Sequence, residues 1–376
     1  MQIIDRYVLR LFLKVFVVCF VSLTGLYVTG DAVNNATEFI GYAEGQGGLL
    51  QVLGSYYGAR VLTFFDVTSG IMTLFAVVFS VAWMQRHNEM MALMAAGVCK
   101  SRVVVPLIAA VVVTSLVAAA NRELVIPTFR KKLSRNAQNW LGENAQQLQP
   151  RWDNQSDILI DGQHLYANEH RIEKPRFQLP ASLNQFGRQL VAANAYYLQP
   201  EGKRPAGYLL KQVQQPANLV QLPSAKVDGK SVILAPGDTP WLKSDECFVP
   251  SGVSFEQLEG GKFGRQYSST AELIAGLRNP SLDFATVRVT IHARIVQPFL
   301  DVTLLFLGLP LVLSRGNRNI FLAVGLCLLV VVGFFVIVLV CHSLGTSSLV
   351  SPAFAAWIPL IVLVPVAAAM WEPRRW

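Results

Sequence analysis

Two acids stand out by where they lie. Asp301 falls within a long apolar run. Glu89 opens a short amphipathic stretch, Asn88–Gly97, between two other apolar runs. An ionisable group inside such a run is costly and is a functional candidate by default. Asp301 equally suits a hydrogen bond to another helix or to cavity water. Glu89 also has two readings. It is either a solvated acid favoured at a helix start by the macrodipole, or an acid offered to a basic partner. Met90, Met91, Leu93 and Met94 form either a plain buried face or, being flexible, a docking surface. Gly97 suits a helix C-terminus, which is compatible with docking.

The search for catalytic constellations is mostly negative. Gly97–Ser101 faintly echoes the end of a phosphate-binding loop, but the first glycine and the Gly-Lys pair are missing. Gly260-Gly261-Lys262 lies in a stretch of β character, away from any such loop. No Gly-x-Ser-x-Gly and no His-Glu-x-x-His occurs. No Cys-x-x-Cys pair suggests a metal, and the five histidines are scattered. Neither a cofactor nor a metal is expected. Any energy for work must come from another subunit.

The elements that carry these residues are membrane spans. Apolar residues make up 52% of the 376-residue chain and charged residues 15%, where a soluble domain carries about 25% charge. Residues 122–291 hold 20 of the 32 Lys and Arg and 16 of the 24 Asp and Glu. One soluble domain therefore sits between two groups of apolar segments. The net charge of +8 needs no nucleic-acid partner, because basic loops at a membrane surface account for it.

Six runs approach the length needed to cross about 30 Å of hydrocarbon. They are Leu11–Gly30, Val61–Trp83, Val103–Ala120, Ile295–Leu313, Ile320–Cys341 and Ala353–Trp371. The first is read as a span, since its run is too long for the core of a cleaved signal. Lys and Arg in the short loops set the orientation. Arg6, Arg10 and Lys14, then Arg86, Lys100 and Arg102, then Arg315 and Arg318, then Arg374 and Arg375 all fall on one side. On the other side Asp31–Arg60 has only Arg60, and Ser343–Pro352 has no basic residue. Both termini are expected inside and residues 122–291 outside. Lys14 snorkels to the inner surface, and Asp66 is read as interfacial.

The outer domain has β character. Asp157–Ile172 reads as two strands around an Asp161-Gly162 turn. Further strands are expected at Gln189–Leu198, Gly207–Val213, Ser231–Leu234 and Phe248–Phe255. A short helix is expected at Ser269–Leu277, capped by Ser268 or Ser269. Cys247 is the lone outer cysteine, so no disulfide framework exists. The fold class is a polytopic α-helical membrane protein with six transmembrane helices and an inserted all-β, jelly-roll-like domain. Residues 1–121 hold spans one to three with a helix-bearing loop at 85–100, 122–291 the β domain, and 292–376 spans four to six.

Over essentially its whole length the chain resembles the lipopolysaccharide-export permeases LptF and LptG. The resemblance rests on this order and on motifs in register. NEMMALMAAGV at Asn88–Val98 resembles the family's coupling helix. HARIVQP at His292–Pro298 and GLPLVLS at Gly308–Ser314 resemble its fourth span, and SPAFAAWIPLIVL at Ser351–Leu363 its sixth. IDRYVLR at Ile4–Arg10 and SLTG at Ser22–Gly25 lean toward the LptG side.

The resemblance implies a non-catalytic permease subunit in the inner membrane of a Gram-negative bacterium. Its implied partners are a second LptF/LptG-type permease, a cytoplasmic LptB-like ABC ATPase dimer and periplasmic LptC/LptA-like β proteins, with lipopolysaccharide as cargo. Glu89, Met90, Leu93, Met94 and Gly97 would couple to the ATPase. Arg60 and Asp301 would face the substrate cavity. Arg294, Pro298 and Pro310 match the motif, with anchoring and bending of the span as the expected role. One departure is Leu26–Asn35, which carries Asp31 and no basic residue where LptG-type members place them. Arg60 or the partner subunit would supply that charge, or the cargo would be less phosphorylated. Two other readings are an ABC exporter of a different lipid or lipoprotein, and a membrane-anchored scaffold without transport. The scaffold leaves Asn88–Gly97 without a purpose.

Overall fold

The computed structural model describes residues 3–45, 47–140, 145–202, 204–227, 229–259, 266–277, 284–313, 320–347 and 349–371. Arg315, Arg318, Arg374, Arg375, Ser314 and Gly260-Gly261-Lys262 lie outside them. The chain divides into two units. The first is Met1–Ala36, Leu50–Ile126 and Phe284–Trp376; the second is Thr37–Leu49 and Pro127–Asp283.

The chain opens with α1 (Ile3–Asn34), α2 (Ala36–Gly45), α3 (Leu49–Arg86), α4 (Glu89–Ala95) and α5 (Lys100–Ala120). Short α6 (Arg130–Leu133), α7 (Phe255–Glu259) and α8 (Thr270–Gly276) follow, then α9 (Phe284–Leu313), α10 (Ile320–Thr346) and α11 (Pro352–Met370). Five of the six expected spans fall inside long apolar helices, and the sixth, Ala353–Trp371, runs one residue past α11. Several helices are longer than expected, α1, α3 and α9 most of all. At 38 residues, α3 reaches about 57 Å, well beyond the hydrocarbon thickness. α9 starts at Phe284, ahead of Ile295, because Arg288, His292 and Arg294 break the apolar run without breaking the helix.

α9 is the packing centre of the helical unit. It contacts α5, α10 and α11, and 61% of its most apolar window is buried, against 6% for α1. Gly308 permits its approach to α3, since a Cβ there would meet Leu74 at 2.5 Å. The core runs through Val77, Val81 and Met84 of α3, Leu107 of α5, and Leu300, Leu304 and Leu309 of α9. A π-turn at Asn121–Val125 follows α5.

The second unit is built on one curled antiparallel sheet. Its strands are β1 (Gln146–Gln147), β2 (Arg151–Asp153), β3 (Ile158–Ile160), β4 (His164–Tyr166), β5 (Arg171–Glu173), β6 (Arg176–Gln178), β7 (Gln189–Leu198) and β8 (Gly207–Gln215). A small pair, β9 (Ala225–Val227) with β10 (Lys230–Ile233), precedes β11 (Glu246–Pro250), which pairs with β8. The order is β1-β4-β5-β7-β6-β3-β2, with β8 on the opposite side of β7.

The all-β expectation holds, with two local differences. β3 and β4 flank Asp161-Gly162 but do not pair with each other. β3 joins β2 and β6, while β4 joins β1 and β5. The strand expected over Phe248–Phe255 stops at Pro250, and Phe255 begins α7. β7 and β8 are flanked on both sides, so neither is the free edge; β1 and β2 end the path of strands. The helix after them matches the expectation. Ser269 caps α8 in a full capping box with Glu272.

The interior of this unit is filled by its own side chains, among them Ile160, Ile172, Phe177, Leu190, Tyr208 and Val249. Tyr208 is fully buried, and its hydroxyl donates to the Val253 carbonyl at 2.9 Å. Burial raises that phenol well above its usual range. Cys247 is buried in the same core, which pushes its thiol up to about 12.

Candidate functional site

The polar residues of the helical unit gather where α3, α5 and α9 meet. Asp301 is buried, and its two oxygens have different partners. Ser115 Oγ of α5 donates to Oδ2 at 3.0 Å, and Gln297 Nε2, one turn back on α9, donates to Oδ1 at 3.0 Å. Gly70 of α3 completes the pocket, because a Cβ there would stand 2.6 Å from Oδ1. A side chain at that position would displace the carboxylate. Asp301 thus makes a hydrogen bond to another helix, α5.

Four residues along α3, about 6 Å by helical rise, Asp66 forms a second node. Arg122 of the π-turn reaches it with two nitrogens, Nε donating to Oδ2 at 3.0 Å and Nη2 lying 2.9 Å from Oδ1, with both side chains mostly buried. This bidentate geometry is the strong form of the pair. Next to it Asn121 Nδ2 donates to the Leu62 carbonyl at 2.9 Å. Glu123 lies 3.7 Å from the Arg294 guanidinium of α9. The π-turn thus offers three consecutive polar side chains to α3 and α9. π-turns often mark functional positions in helices.

The prolines lie on the same helix. Pro298 and Pro310 are both internal to α9. Each lacks an amide hydrogen, so the carbonyls of Arg294 and Phe306 lose their helical donors. Arg60 stands apart from Asp301, on α3 between Gly70 and the amino end of the helix. Its guanidinium lies 3.5 Å over the Tyr56 ring, and Nη1 donates to the Tyr56 carbonyl at 3.3 Å. Beside it Tyr57 Oη donates to Asp31 of α1 at 2.6 Å, and Tyr27 stacks on Phe64. Asp31 is thereby engaged in joining α1 to α3.

α4 forms a separate site. Asn88 precedes it in the left-handed region, and Gly97 follows at φ 79. Val98 N–H donates to the Leu93 carbonyl and Gly97 N–H to the Met94 carbonyl, both at 3.0 Å. This is a Schellman end, and it makes Gly97 a stop residue. Met90 is buried in the helical core, and Leu93 and Met94 pack against that core. Three of the four apolar residues thus follow the buried-face reading. Met91, Ala92, Ala95 and Ala96 form the exposed side. Glu89 is half-buried and accepts from Tyr7 Oη of α1 at 2.7 Å.

Sequence reasoning singled out Asp301 and Glu89 but missed most of their partners. Gln297 was legible, since it lies one turn from Asp301 in an apolar run. Arg122 was assigned to the outer domain because it follows the last apolar residue of its span. Ser115, Gly70 and Tyr7 had no signal of their own. Among the described residues, no cluster of His, Cys, Asp or Glu could hold a metal.

Six apolar helices with an antiparallel β domain between the third and the fourth define a polytopic helical membrane protein with a β insertion. The family model described as "Lipopolysaccharide export system permease LptF/LptG" matches residues 6–372. The chain therefore belongs to the LptF/LptG permease family, a family of multi-pass transport subunits of the inner membrane. The match does not separate LptF from LptG. A search of curated proteins found no match to the chain.

Proposed function

We propose that the chain is one permease subunit of an ATP-driven lipopolysaccharide extractor. A cytoplasmic LptB-like ATPase dimer hydrolyses ATP beneath it. A second permease of the family completes the cavity. Lipopolysaccharide enters from the outer leaflet and passes to periplasmic LptC/LptA-like β proteins. Both termini and α4 are cytoplasmic, and residues 122–291 are periplasmic. The charge pattern supports this orientation: Arg6, Arg10, Lys14, Arg86, Lys100 and Arg102 share one side.

The observation that carries the reading is the form of α4. A seven-residue helix is plugged into the bundle by Met90 while Met91, Ala92, Ala95 and Ala96 face away from it. That exposed strip, together with Glu89, is the surface for the ATPase. Small side chains allow close approach, and the acid pairs with a basic partner residue. Arg60, with the tyrosines around it, is the cation for the anionic headgroup. Asp301 holds α3, α5 and α9 together beneath that cluster.

Glu89→Lys tests the coupling. The expected result is loss of co-purified ATPase, or of its coupled turnover, with all six spans still inserted. Wild-type levels of both would end the coupling role of Glu89.

A further inference from the structure

Glu89 and Tyr7 are 82 residues apart in the chain, yet their side chains share a 2.7 Å hydrogen bond. The residues next to them explain why the pair meets. Val8 and Phe12, one turn apart on α1, are buried in the helical core, and so is Met90 of α4. Tyr7 and Glu89 therefore sit at the rim of one packed core, each anchored by its buried neighbour. The hydroxyl donates to Oε2 alone. A carboxylate accepts at both oxygens, so Oε1 can still accept from an incoming guanidinium.

α1 is the least buried of the six spans, with 6% of its most apolar window inside the fold. The bond to Glu89 ties the first turns of this helix to α4. From this geometry we infer that Tyr7 is a positioning residue, which aims the Glu89 carboxylate and passes displacement of α4 to α1. This rests on the docking role proposed for α4. It goes further in naming the residue that links the docked helix to a span.

The test uses the full complex of both permeases and the ATPase, reconstituted with lipopolysaccharide. Tyr7→Phe removes one hydroxyl and keeps the ring. It is expected to retain the bound ATPase and the melting temperature, while lipid extracted per ATP falls about threefold, as expected for loss of a partly exposed bond to a charged group. In a Glu89→Ala background, where the hydroxyl has no acceptor, the same change should have no further effect on that ratio. Unchanged extraction per ATP in Tyr7→Phe would overturn the inference, as would an equal loss in both backgrounds. Glu89→Lys separates the two levels. If it leaves the ATPase bound and coupled, the docking reading falls and takes Tyr7 with it. If it uncouples while Tyr7→Phe does not, only the role of Tyr7 falls.

Discussion

Gly70→Ala should destabilise the helical unit through Asp301. The new methyl would sit 2.6 Å from Oδ1 and 3.3 Å from Cγ of Asp301. A carbon–oxygen contact relaxes to about 3.3 Å, so the carboxylate must shift by about 0.7 Å. The same oxygen accepts from Gln297 at 3.0 Å, so this bond is disturbed as well. Overpacking of this kind costs about 1–3 kcal/mol. The carboxylate moves as one group, so the bond from Ser115 of α5 to Oδ2 is weakened too, and a weakened bond between membrane helices adds about 0.6 kcal/mol. Better helix propensity returns up to about 1 kcal/mol. The net loss is then about 1–3 kcal/mol. Unfolding in mixed detergent micelles, followed by circular dichroism, measures it. Asp301→Ala should also destabilise, since it leaves Ser115 and Gln297 without their acceptor. The two changes together should cost less than their sum, because the methyl then occupies the vacated space. A Gly70→Ala variant as stable as wild type, or strict additivity, would refute the packing described for this node.

Three other outcomes are expected. For topology, on a cysteine-free background, an impermeant thiol reagent added outside should label Gln214→Cys on exposed β8 and spare a cysteine restored at position 99. The reverse would invert the proposed orientation. Native Cys247 is unsuited to that assay: it is buried and its thiol is pushed up to about 12. A raised thiol pKa favours the neutral form, so alkylation of Cys247 should stay slow even at pH 9 and become fast only when the β unit unfolds; ready labelling of folded protein would contradict this. Finally, a photo-crosslinker at Trp152, exposed on terminal strand β2, should trap a periplasmic β partner, and one at Ala192, inside β7, should not. Capture at Ala192 alone would place the partner elsewhere than at the edge.

The six spans were legible because each is a sustained apolar run, and burial in lipid requires that run whatever the tertiary contacts. Their ends were less legible. Arg288, His292 and Arg294 extend α9 as an ordinary helix, which hydropathy cannot register. The strands at β7 and β8 were visible from their alternation and their turns, but pairing was not. Asp161-Gly162 looks like a hairpin turn, yet the neighbours of β3 and β4 are set by distant strands. The polar node was half-legible. Asp301 announces itself by charge, whereas Ser115 and Gly70 become meaningful only when three helices converge. The role of Met90 depended on which way a short helix rolls. Four apolar residues in seven fit a buried face or a docking face equally well, and packing against the core decided it for Met90, Leu93 and Met94.

Affinity purification of this chain from its native membrane tests the central claim most directly. The account predicts that an ABC ATPase and a second permease of the same family come down with it, and that the reconstituted complex releases lipopolysaccharide from vesicles only when ATP is hydrolysed. A chain that purifies without an ATPase, or a complex whose lipid release ignores ATP, would contradict it.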